Sequence, residues 1–219
     1  LLTLQGLLAL GIISLLSACS IQPKIPLFSA SGFVTADGVI RLWRLNDQNS
    51  QPQIIMSVYS PYHAKDTTVT FYEYRHGHLW QIRRNVLGNP PLEETLRLDQ
   101  NSTVIFKQRQ LQRHNEQLSG DDVARLKSTA SQIENMSHVL IADKVRLLQG
   151  HWQDGKVTLC SGKSLFVAFG PDSQKWLEER KGSNSSLLTI AWLDSPKENQ
   201  LLLVANDDFC RWEPTQDKL

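Results

Sequence analysis

His76 and His78 stand on either side of Gly77, and two imidazoles that close could bind a borderline metal with Glu73 or His63 as a further ligand. The same spacing suits a solvated turn between two strands, and the expectation is that no metal and no cofactor is held. No His-Glu-x-x-His occurs, so a zinc hydrolase has no support. Ser161-Gly162-Lys163-Ser164 copies the end of a phosphate loop. The first glycine of that motif would fall at Val157, and an apolar strand follows where a helix should begin. No Gly-x-Ser-x-Gly elbow is present. Adjacent carboxylates occur at Glu93-Glu94, Asp121-Asp122, Glu178-Glu179 and Asp207-Asp208. The Asp121 pair fits a helix start, and the others fit solvated ends of elements. A hydrolase built on them is the weakest reading, and no catalytic residue is assigned.

Cys19 has the clearest chemistry. It ends an apolar run, residues 1–18, in which no charged residue occurs; the first is Lys24. Leu16-Ser17-Ala18-Cys19 resembles the lipobox of bacterial lipoproteins, in which the thiol takes a diacylglyceryl group and the peptide is cut before the cysteine. The resemblance implies a signal peptide over 1–18 and acyl chains on Cys19 that anchor the protein in a membrane; several chains on one residue hold stably where one would not. A leader opens on basic residues, so a short basic segment is expected ahead of Leu1. Ser20, not Asp, follows Cys19; by likeness to lipoprotein sorting this favours the outer membrane, facing the periplasm. Residues 19–28, with Pro23 and Pro26, read as an extended tether.

Two further cysteines remain once Cys19 is lipidated. In an oxidising compartment Cys160 and Cys210 are expected to form a disulfide. The absence of Cys-x-x-Cys argues against a redox-active pair.

The bulk composition is that of an ordinary globular chain, 41% hydrophobic and 21% charged, with a formal net charge of +1. So balanced a charge gives no field for a polyanion, and nucleic-acid binding is not expected. A single domain is predicted over 29–213, with a tail over 214–219.

Periodicity and turn residues predict strands over 32–36, 39–45, 54–59, 67–75 and 79–86, a short one at Leu96 and Leu98, and one over 104–111. Asp37-Gly38 marks the first hairpin. Ser119-Gly120-Asp121-Asp122 reads as a capping box opening a helix over 120–148, bent near Ser137 and ended by Gly150. Strands over 156–160 and 164–169, a short helix over 171–181 and a hairpin of 187–193 with 200–205 complete the pattern. The fold class is α+β: an antiparallel, strand-rich sheet, barrel-like or half-barrel, with one long and one short helix. Trp43, Tyr72 and Tyr74 belong to an aromatic band of the first sheet. Tyr72 and Tyr74 alternate with Val69 and Phe71. They would offer a strip to a partner or ligand, or become core if the helix lies over them.

Residues 28–44, Phe-Ser-Ala-Ser-Gly-Phe-Val-Thr-Ala-Asp-Gly-Val-Ile-Arg-Leu-Trp-Arg, resemble the uncharacterised YjaH-like lipoproteins of gamma-proteobacteria. That likeness implies the lipobox and the length but no activity. Lipidated lipocalins carry a Gly-x-Trp on their first strand, which this chain lacks. The function expected is that of a non-enzymatic envelope lipoprotein that binds or scaffolds another envelope component; the alternative is a carrier of a lipid or small molecule in a barrel interior.

Overall fold

The structure is a computed structural model that describes residues 24–64, 66–182 and 187–219. Cys19, the leader and the first part of the tether lie outside the described residues.

An antiparallel meander comes first: β1 (Phe28–Val34), β2 (Gly38–Asn46), β3 (Pro52–Pro61), β4 (Thr68–Arg75), β5 (His78–Val86), β6 (Leu92–Leu98), β7 (Val104–Leu111) and β8 (His114–Glu116). Each strand pairs with the next, so the eight form one sheet in sequence order. β1 starts at Phe28, ahead of the predicted residue 32, because Phe28 through Ser31 continue the ladder against Leu42 through Leu45. The sheet stays open and does not close into a barrel.

α1 (Gly120–Ala142) opens on the expected capping box: the Asp122 amide donates to Ser119 Oγ at 3.1 Å, and the Ser119 amide donates to the Asp122 carboxylate at 3.2 Å. Leu126, Ala130, Ile133, Ser137 and Leu140 recur at helical spacing and are buried. The apolar members pack on Leu42, Ile55, Tyr72, Tyr74, Ile82 and Leu96 of the sheet.

The helix does not run to 148. Lys144 takes φ +57°, the Lys144 amide donates to the Ile141 carbonyl at 3.1 Å, and the Val145 amide donates to the Leu140 carbonyl at 2.9 Å. These two bonds close a Schellman motif with lysine where glycine is usual. Past it, residues 146–153 are β9 (Arg146–Gln153), the middle strand of a second sheet completed by β10 (Lys156–Leu159), β11 (Ser164–Phe166), β12 (Leu188–Asp194) and β13 (Asn199–Ala205) in the order β11-β10-β9-β12-β13. Gly150 therefore ends no helix. A Cβ there would stand 2.4 Å from the Thr158 carbonyl oxygen of β10.

Period-two alternation divides each strand between two cores. Val39, Trp43, Met56 and Val58 of the first sheet meet Leu147, Ala191, Leu193 and Leu202 of the second. On the outer face of the second sheet, Trp152, Ile190 and Trp192 surround Leu177 of α2 (Pro171–Lys181). The result is sandwich-like, with layers in the order α1, first sheet, second sheet, α2. Cys160 and Cys210 form the expected disulfide. It fastens a 3-10 turn, Phe209–Trp212, to the end of β10. Residues 214–219, expected as a tail, turn back, and Leu219 packs against the inter-sheet core.

Gly150→Ala drives a methyl into backbone, so it should destabilise the domain by about 1–3 kcal/mol in urea unfolding. Cleavage of the disulfide, which spans 50 residues of sequence, should cost about 4 kcal/mol by the chain-entropy argument. Reductant titration of the wild type against Cys160→Ser checks it: the variant should be insensitive to reductant and as weak as the reduced protein.

Candidate functional site

The structure disperses most of the residues singled out from sequence. Trp43, Tyr72 and Tyr74 are 1%, 3% and 6% exposed. They are core rather than a contact strip, because α1 covers the face bearing Tyr72 and Tyr74 while the second sheet covers Trp43. His76 and His78 are exposed at the β4–β5 turn. Glu73 is taken by Arg83 at 2.7 Å and by Gln81 at 3.0 Å. His151, Asp208 and Cys210 place ligand atoms within 4.8 Å of one another, but Cys210 Sγ is bonded to Cys160, which leaves a His151–Asp208 hydrogen bond of 2.9 Å.

Two charged clusters depart from the sequence reading: Glu94, expected with Glu93 at a solvated end of an element, is instead buried within β6, and Arg41 drew no reading at all. Glu94 is 2% exposed beneath the start of α1. It accepts from Arg84 at 2.9 Å and from Arg109 at 2.8 and 3.0 Å, and Arg125 lies at 3.4 Å. Arg109 also reaches Asp122 at 2.8 Å, tying the capping box of α1 to β7. Burial works against the Glu94 charge, yet the bonds from Arg109 and Arg84 outweigh it and hold the carboxyl below the usual carboxylate range. The second cluster lies between the sheets. Arg41 Nη1 donates to Gln149 Oε1 at 2.8 Å, and Gln149 Nε2 donates to Glu213 at 2.8 Å. The guanidinium sits 4.7 Å from the Trp212 ring centre and 5.0 Å from that of Phe209. Burial pulls the Arg41 pKa down to about 10 and pushes that of Glu213 up.

One groove is large and apolar, about 1120 Å³. Its walls come from four places: Lys24 to Pro26 with the start of β1, the last turn of α1 with its Schellman turn, the first half of β9, and the β12–β13 turn. Phe28, Ile141, Val145 and Leu148 give it an apolar lining, and Lys24, His138, Lys144 and Arg146 stand among it. Arg146 is ion-paired with Asp194. The segment ahead of β1 is fixed here by a chain of polar contacts. The Asn46 amide donates to the Leu27 carbonyl at 2.7 Å, and Asn46 Nδ2 donates to the Pro26 carbonyl at 2.9 Å. Arg44 Nε donates to Asn46 Oδ1 at 2.7 Å, and Arg44 Nη1 donates to Ser137 Oγ of α1 at 2.8 Å. Burial and the Arg44 charge hold the His138 imidazole below its ordinary pKa. The groove had no signal in the sequence, since its walls are far apart along the chain.

Among the described residues no helix is long and apolar enough to cross a membrane. Over residues 30–215 the chain matches the family described as "Protein of unknown function (DUF1481)". It is similar to "Uncharacterized protein YjaH" of Escherichia coli (strain K12), 35% identical over 204 residues that cover 92% of this chain and 87% of that protein. No solved structure matches it.

The Glu94 cluster makes a signed prediction. A carboxyl whose folded pKa is depressed contributes stability above its unfolded pKa, about 4.3, and loses it as pH falls through the lower folded value. Urea midpoints should therefore fall on acidification below that range. Glu94→Gln should lose about 2–3 kcal/mol at neutral pH, the worth of hydrogen bonds to a charged group, and should flatten the acid slope. An unchanged slope would refute the assignment.

Proposed function

The chain belongs to the DUF1481 family, and starting from that membership we propose that it is an exported, lipid-anchored envelope protein that binds an amphiphile or small molecule without catalysing a reaction. The observation that carries this is the place of the groove. Its mouth includes Lys24 to Pro26, the end of the tether that leads to Cys19. Residues 19–24, fully extended, reach at most roughly 18 Å, so an anchor on Cys19 keeps the groove close to the bilayer. The Cys160–Cys210 disulfide suits an oxidising compartment, and Ser20 after Cys19 suits the periplasmic face of the outer membrane. Binding rather than chemistry is favoured by how the polar groups of the groove are engaged. Asp194 is paired with Arg146, and the Ser195 hydroxyl bonds within the β12–β13 turn.

A second reading, scaffolding of an envelope protein, draws on β7. β8 pairs only with Arg109 to Leu111, and on the stretch before it Ile105 is 63% exposed and Phe106 37%. An unpaired edge of this kind accepts an added strand.

Labelling cells with alkyne-palmitate checks the anchoring. The wild type should incorporate label, fractionate with the outer membrane and start at Cys19. Cys19→Ser should carry no label and keep its leader. A mature protein with residue 19 unmodified would sink the reading.

A further inference from the structure

We propose that the groove beside the tether is a fatty-acid site, with the aliphatic tail on Phe28, Ile141 and Leu148 and the carboxylate held at the rim by Lys24 and Lys144; this deepens the binding reading above and rests on it. The argument begins with size and lining. At about 1120 Å³ the groove exceeds the roughly 300–1,000 Å³ usual for small-molecule sites. Much of its lining is apolar, Phe28 with Ile25, Ile141, Val145 and Leu148, which suits a long flexible hydrocarbon.

Charge selects the head. Asp194 is the one carboxylate residue among those lining the groove, and Arg146 is paired with it. Lys24 and Lys144 have no ion pair among the described residues, which leaves two uncompensated ammonium groups beside an apolar wall. An anionic head answers them; a neutral or cationic head does not. Burial and the Arg44 charge disfavour protonation of His138, so it adds hydrogen bonding more than positive charge. Of the guanidiniums nearby, whose forks suit bidentate phosphate, Arg146 is paired with Asp194, and Arg44 is 1% exposed and bonded to Asn46 and Ser137, its Nη2 without a partner but shut away from solvent. Two point-charge ammoniums fit a carboxylate.

An independent observation concerns Lys144. It occupies the left-handed position of the Schellman turn, φ +57°, where glycine is the unstrained residue. A lysine there lines the groove at the expense of backbone strain.

The test uses full-length acylated protein in isolated envelope vesicles, to which a photoactivatable palmitic acid is added and irradiated. Peptide mass mapping should place adducts on residues 138–148 and the start of β1. Lys24→Gln and Lys144→Gly should each lower that labelling roughly two- to fivefold, the worth of one exposed ion pair. Lys144→Gly relieves the strained turn, so a loss there is not a loss of folding. The matching photoactivatable hexadecanol should label severalfold less. Equal labelling by the alcohol, or labelling indifferent to both lysines, overturns the proposal. So does the absence of groove adducts in protein whose Cys19 is acylated. If Cys19→Ser protein takes the probe while acylated protein does not, the occupant is the anchor's own chain, and the proposal falls. Lysine-dependent groove labelling in protein unmodified at Cys19 supports the site and removes the anchoring reading alone.

Discussion

β2 and β3 are buried on both faces, and that constraint organises the molecule. β2 turns Leu42 and Arg44 toward α1 and Val39, Arg41 and Trp43 toward the second sheet. Neither face can be left to water, so one helix and one further sheet are both required. The constraint also brings a guanidinium between two sheets. Arg41 is 3% exposed, and an isolated ion there would be strongly disfavoured. Gln149, the rings of Phe209 and Trp212, and the Glu213 charge offset part of that cost; burial still outweighs them, and Nε has no hydrogen-bond partner. Three of those four groups follow β13, on the 3-10 turn or just after it, which the Cys160–Cys210 disulfide fastens down. The disulfide thus secures the polar closure of the sandwich as well as shortening the unfolded chain. Glu94 repeats the pattern on the other face, where arginines from β5, β7 and α1 neutralise one buried carboxylate.

The groove follows from the same layering. β1 is an edge strand, flanked by α1 on one face and by β9 on the other. α1 ends at Ala142 and β9 begins at Arg146, so the chain must cross from one face of the first sheet to the other within the intervening residues. The layers cannot close on one another at that crossing, and the apolar side chains of Ile141, Val145 and Leu148 line what remains open. Lys24 to Pro26 lie along this gap. The contacts from Pro26 through Asn46 and Arg44 to Ser137 fix their path by joining three elements that are distant in sequence.

Local signals with their own geometry were legible in the sequence. The Asp37-Gly38 hairpin, the Ser119–Asp122 capping box and the cysteine pair each specify structure within a few residues or by a bond. The helix end was not legible, because Val145, Leu147 and Leu148 prolong the apolar spacing of α1 and the turn that stops it carries lysine in place of glycine. Gly150, read as a helix terminator, is instead demanded by the closeness of β10. β8 escaped notice because His114, Asn115 and Glu116 are all exposed and show no alternation. The aromatic band left two readings open, since alternation tells which residues share a face but not what covers it. Glu94 was taken as solvated and Arg41 passed over for a related reason: a charge in a strand is ordinarily solvated, and only the assembled layers bury these two.

Under the anchoring proposed for Cys19, position relative to a membrane changes what such a groove must achieve. A domain tethered at a bilayer samples acyl chains at high effective concentration, so a modest intrinsic affinity suffices for occupancy. An enclosed cavity with converging hydrogen bonds would then be more than the task requires. An open groove with two exposed ammonium groups matches it, because exposed ion pairs are weak enough to let a ligand leave. The deep, paired charges at Arg41 and Glu94 are spent on holding the layers together, and the weak, unpaired ones at Lys24 and Lys144 face outward. That division puts the rigidity in the sandwich and the exchangeable contacts at the seam beside α1 and β9.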